Sequence, residues 1–97
     1  MIRIVKMSFR FEHINHFREL FEERREQIRG FAGCRHLELW QDRDNPGIFY
    51  TYSLWDDAAD LEAYRLSDLF QDTWTTVKQW FNDTPEAFSA DQRMVVP

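Results

Sequence analysis

Residues 1–11, MIRIVKMSFRF, alternate between two sets of side chains, and each set carries apolar residues. Val5, Met7, Phe9 and Phe11 fall on one side, with Ile2, Ile4, Lys6 and Ser8 on the other. A period of two is the mark of a strand. The stretch IFYTYSLW, 48–55, repeats the pattern, with Ile48, Tyr50, Tyr52 and Leu54 on one side and Thr51 and Trp55 on the other. A strand is also predicted for CRHLELWQ, 34–41, where Cys34, His36, Glu38 and Trp40 oppose Arg35, Leu37, Leu39 and Gln41. An antiparallel sheet with one face in water shows polar residues there. Here the face bearing Ile4, Trp40, Tyr50 and Tyr52 is largely apolar, so both faces of the sheet need a cover.

One face can be covered from within the chain. Ile14, Phe17, Leu20, Phe21 and Ile28 recur at helical spacing, Gly30 ends that helix, and Gly33 lets the chain turn into the next strand. Asp56 or Asp57 is predicted to cap a short helix running through Tyr64, and Ser67 a longer one reaching about Asn82. Pro85 follows, and EAFSADQRMVV reads as a last extended segment. In the turn RDNPG, Pro46 and Gly47 suit the central positions of a type II turn. The order β-α-β-β-α-α-β, with a right-handed crossover, a hairpin and a returning strand, predicts an α+β fold. Its core is a ferredoxin-like antiparallel sheet with helices on one face. No helix remains for the other face. A second copy is the natural cover, giving a homodimer joined sheet to sheet as an α+β barrel. Residues 1–97 are expected to form a single domain.

Composition narrows the partners. A net charge of -5 and basic residues interleaved with acids disfavour a phosphate-backbone binder, so no nucleic acid is expected. No apolar run approaches the roughly 18 residues of a membrane span, and MIRIVK is no signal peptide. The lone Cys34 leaves no internal disulfide, and the expected location is cytoplasmic. The chain holds 9 Phe, 4 Trp and 3 Tyr, more than one small core readily hides, which points to a pocket or an interface.

Tyr64 and Trp74 lie on successive helices whose inner faces meet the sheet. Packing alone accounts for aromatics at this spacing. The functional alternative is a flat, apolar pocket for a small aromatic ligand, with the Tyr64 hydroxyl and Trp74 indole N–H as polar handles. Trp55 is either a strand-end plug or part of that wall. The break at Leu66-Ser67 would let the short helix swing as a lid. His13 and His16 stand three apart at a helix start, but without a third anchored ligand they read as exposed histidines rather than a metal site. Cys34 and His36 share a predicted strand face on the dimer side, too far apart for a direct hydrogen bond. No glycine-rich phosphate loop or nucleotide fingerprint is present, and no metal or cofactor is expected.

The segment GFAGC before the second strand and WDDAADLEAYRLSDLF after the third, on such a sheet, resemble the antibiotic biosynthesis monooxygenase (ABM) family of the dimeric α+β barrel superfamily. The resemblance covers roughly residues 1 to 90. It implies a cavity between the sheet and the two later helices, lined by Val5, Met7, Thr51, Trp55, Tyr64, Phe70 and Trp74. It also implies a cofactor-independent monooxygenase acting on a small aromatic or quinol-type substrate, with Trp55, Tyr64, Trp74 and Thr51 as the site. Quinol oxygenases of this family place an asparagine four residues before the strand-end tryptophan. Here the tryptophan is Trp55 and the asparagine's position holds Thr51. Haem-degrading members use an asparagine, a tryptophan and a histidine ligand where this chain has Met7, Tyr64 and Trp74. An indole offers iron no lone pair, so haem degradation is disfavoured. A non-catalytic small-molecule binder, or an isomerase or mutarotase-like enzyme of the same superfamily, remains the alternative.

Overall fold

The computed structural model describes residues 1–97. Strand β1 (Ile2–Ser8) is flanked by β3 (Ile48–Trp55) and β4 (Glu86–Ala90), and β2 (Cys34–Gln41) lies beyond β3. The sheet is antiparallel throughout in the order β2-β3-β1-β4, the ferredoxin-like arrangement. Helix α1 (Ile14–Arg29) makes the crossover from β1 to β2, and α2 (Ala58–Arg65) and α3 (Asp68–Val77) follow β3. The chain thus has the α+β architecture that its alternation and helical spacing imply.

The register fixes which residues share a face. Val5 stands opposite Thr51, Met7 opposite Phe49 and Ile4 opposite Tyr52. On the helix side, Met7, Phe9, Phe17, Phe49 and Val77 form one buried cluster, and Cys34, Trp55 and Leu61 form a second toward the other end of the sheet. Phe9 and Phe49 are the largest fully buried side chains, each 2% exposed, and burial of a phenylalanine contributes about 1.5–3 kcal/mol. Phe9 stacks on Phe17 at 4.3 Å and meets Phe49 edge-on at 6.0 Å.

The caps follow their side chains. Asp57 accepts from the Asp60 amide at 3.0 Å and starts α2, while Asp56 pairs through both carboxylate oxygens with Arg35 at 2.7 Å. Ser67 Oγ accepts from the Phe70 amide at 3.2 Å and starts α3. The long helix ends at Val77 and tightens into a 3-10 turn, Lys78–Trp80, short of the expected Asn82. The final extended segment pairs only over Glu86–Ala90.

Three local expectations are corrected. Phe11 does not continue the β1 row; it enters a 3-10 turn, Phe11–His13, and is 83% exposed. Gly47 does not adopt the positive φ of a type II turn, since Gly33 is the one residue in that region. The loop is held instead by the Asp42 carboxylate accepting the Asp44 and Asn45 amides at 3.1 and 2.9 Å. Gly47 serves close approach: its carbonyl accepts the Phe9 amide at 2.8 Å, and a Cβ there would lie 2.9 Å from the Phe9 oxygen. Finally, Cys34 and His36 do not share a face. A register shift between them pairs Cys34 with Trp55 and His36 with Leu54, so the bulge turns the thiol into the core and leaves the imidazole on the outer face.

The outer face has no cover within the chain, and just 11 of 97 residues are buried. Trp40 is 41% exposed and Phe88 55%. Trp40 stacks on Tyr52 at 5.1 Å, its indole N–H donates to Glu38 at 2.8 Å, and His36 Nε2 meets the other Glu38 oxygen at 2.6 Å. The indole bond first and the histidine second hold the Glu38 carboxyl below its usual range. No helix is long and apolar enough to cross a membrane.

Candidate functional site

Between the two buried clusters the helix layer stands off the sheet, leaving a cavity of about 250 Å³. Period-two alternation delivers Val5, Met7, Thr51 and Trp55 to its floor, and the inner faces of α2 and α3 deliver Tyr64, Phe70 and Trp74. All seven expected lining residues therefore meet around one space, Thr51, Trp55, Tyr64 and Trp74 among them. A cavity of roughly 150 Å³ holds a benzene, and drug-sized ligands take about 300 Å³ or more. The volume here suits a bicyclic ring.

The wall is a run of rings in contact. Trp55 stacks on Tyr64 at 5.2 Å, Tyr64 meets Phe70 edge-on at 5.2 Å, and Phe70 stacks on Trp74 at 5.6 Å with 12° between planes. Hydrogen bonds across the junction of α2 and α3 keep that run in line. Ser67 Oγ donates to the Tyr64 carbonyl at 2.6 Å and Gln71 Nε2 to the Arg65 carbonyl at 2.8 Å. The break at Leu66-Ser67 is consequently a tied corner. Arg24 joins α1 to α3, bonding Thr73 Oγ1 at 2.8 Å and Asp72 at 2.9 Å.

Few polar groups face this space. Trp55 is 3% exposed, and its indole N–H donates to Ser53 Oγ at 2.9 Å, so it is already partnered. Burial raises the Tyr64 phenol well above its ordinary 10.0, with the nearby Cys34 adding a smaller push, and the hydroxyl stays a donor at neutral pH. Cys34 is itself raised chiefly by burial, against its bond to the His36 carbonyl and the Arg29 charge. It remains a thiol, not a thiolate nucleophile.

Arg3, Ser53, Arg65 and Thr73 also line the cavity. Their signals were present in the sequence: Arg3 and Ser53 share the parity of Val5 and Thr51, and Arg65 adjoins Tyr64. His13 and His16 lie elsewhere, their Nδ1 atoms 2.9 Å apart beside Trp80. No group of three or more His, Cys, Asp or Glu side chains is placed to hold a metal ion.

Proteins of similar fold are numerous, and no curated protein matches in sequence at a significant level. One solved structure, of an antibiotic biosynthesis monooxygenase, is 21% identical with a TM-score of 0.86 over 100% of both chains. A conserved protein from Methanosarcina mazei Go1 is 24% identical with a TM-score of 0.83, covering 90% of this chain and 87% of that one. A Mycobacterium tuberculosis protein is 16% identical with a TM-score of 0.83 and 97% coverage of each chain. At such identities the likeness is one of fold. The sequence profile described as antibiotic biosynthesis monooxygenase matches residues 1–76, the span that supplies β1 to β3, α1, α2 and most of α3 around the cavity. The chain belongs to the antibiotic biosynthesis monooxygenase family.

Proposed function

We propose that this protein is a cofactor-independent monooxygenase for a small aromatic quinol, working as a homodimer. The observation that carries the reading is the 250 Å³ cavity walled by Trp55, Tyr64, Phe70 and Trp74. A planar ring slots against these faces, with the Tyr64 and Thr51 hydroxyls as the polar contacts for a ring oxygen. The substrate supplies the electrons. A quinol that has lost a hydroxyl proton donates a ring electron pair to dioxygen, forming a C–O bond and, on protonation, a ring hydroperoxide. That carbon then loses its proton, the C–H pair breaks the O–O bond, and water leaves, giving a hydroxyquinone. The protein's part is to position the ring and exclude bulk water.

The lining contains no histidine and no carboxylate, which weighs against an isomerase or mutarotase, since these need a group that shuttles a proton. A non-catalytic binder is the second reading. Thr51 in place of an amide, and a Trp55 N–H already bonded to Ser53, favour it. The outer face bearing Ile4, Trp40, Tyr50 and Tyr52 is proposed to be covered by a second copy of the sheet.

Oxygen consumption with dihydroxynaphthalene separates the two readings. An oxygenase takes up oxygen faster than the quinol's own oxidation, forms the hydroxyquinone, and loses the excess rate in Trp74→Ala. Saturable quenching of tryptophan fluorescence by the quinol with no added oxygen uptake would leave only the binder.

A further inference from the structure

Only two of the residues lining the cavity carry charge, Arg3 and Arg65, and both are cations. The chain as a whole has a net charge of -5, so a pair of like positive charges with no acid in the lining runs against composition. Arg3 lies in β1 between Ser53 of β3 and Ser89 of β4, on the face that carries Val5. Its guanidinium donates to a neutral partner, Ser89 Oγ, at 3.2 Å. Arg65 ends α2 and contacts Glu62 at 3.1 Å, with 48% of its own side chain still exposed. Arg10, Arg24, Arg25 and Arg35 each face a carboxylate, as Arg65 does, so that Arg3 is the lining cation without one.

Burial first, and the Arg65 cation second, pull the Arg3 pKa down, with Glu62 partly offsetting them. The two guanidinium groups therefore feel one another. A purely structural role needs only the aliphatic stem of Arg3 over the sheet, and leaves its guanidinium with a neutral serine as sole side-chain partner beside a second cation. An anion seated between the two forks relieves the repulsion and satisfies donors that no side-chain carboxylate satisfies for Arg3.

We propose that Arg3 and Arg65 form an anion-binding mouth to the cavity, so that its ligand is an aromatic ring bearing a carboxylate or phosphate group. The ring lies among the aromatic walls and the anionic group reaches the arginines at the edge, with Ser53 and Ser89 flanking Arg3. This deepens the reading of the cavity as a ligand site and rests on it.

Naphthamide, naphthoate and naphthyl phosphate test it, their binding followed by quenching of tryptophan fluorescence at low and high KCl. The anions are expected to bind about tenfold more tightly than the amide, the factor that one charge-assisted hydrogen bond supplies. Added KCl narrows the gap, and the tighter of the two anions identifies the group. Arg3→Gln and the more exposed Arg65→Gln should each weaken the anions more than naphthamide and so shrink the preference. Equal binding of amide and anions by the unaltered protein overturns the arginine mouth and leaves the cavity reading standing. Failure of all three ligands to bind overturns both. Equal losses for amide and anions in the two variants would make the arginines structural and also overturn the proposal.

Discussion

Trp55 Nε1 donates to Ser53 Oγ across 2.9 Å, two residues away on the same face of β3. The hydroxyl in turn lies 3.5 Å from the Arg3 carbonyl, so one serine links the cavity wall to the neighbouring strand. Ser53→Ala leaves the indole N–H buried without a partner, and the cost of such an orphan is about 1–3 kcal/mol. Urea denaturation should show a loss of that size. A variant as stable as the original would mean that the indole finds another acceptor.

The proposed homodimer can be tested at the outer face. Tyr52 stacks on Trp40 and contacts His36 edge-on, at the centre of the uncovered aromatic surface. Tyr52→Asp puts a charge there and should give monomer or aggregate by light scattering, because a buried unpaired carboxylate costs several kcal/mol. An unchanged dimer would move the interface to another face.

Tyr64 predicts a limit at alkaline pH. Its folded pKa is raised by burial, so below the ordinary value of 10.0 the phenol is protonated in both folded and unfolded chains and the stability it confers is intact. As pH rises past that value the unfolded chain releases the proton first and stability falls. Tyr64→Phe should therefore flatten the decline between pH about 10 and 11 in denaturant titrations. If the decline is as steep in the variant, the phenol is not the group responsible.

Haem should not bind specifically. The long helix presents Trp74 to the cavity, stacked on Phe70, and an indole supplies no lone pair to iron. Titration with haem should show no sharp Soret band at one equivalent. A band that appears and is abolished by Trp74→Ala would refute this.

Parity carried most of this site. Val5, Met7, Thr51 and Trp55 reach the cavity floor because strands alternate without interruption at those positions, and Asp57 and Ser67 fix the helices that bring in Tyr64 and Trp74. The rule failed at Cys34 because one extra residue at a bulge inverts every side-chain direction beyond it, and nothing in CRHLELWQ marks the insertion. Gly47 misled for a related reason. Its glycine answers a backbone approach from Phe9, a tertiary contact absent from RDNPG itself. Arg3 was legible by parity, yet a charge next to isoleucines reads as solvent-facing until a cavity is found beside it.

Gly33, at φ +87°, sits so close to α2 that a Cβ there would fall 2.3 Å from the Asp60 carboxyl carbon. Asp60 lies one turn before Tyr64 on the same helix, so the bare backbone of the turn into β2 acts as a gauge block for the roof above it. Any side chain added there would run into the Asp60 side chain and carry the strain of a positive φ as well, so the start of α2 and the turn into β2 could not keep their present approach. The close seat of α2 against that turn thus depends on a hydrogen atom, on a residue outside the cavity lining.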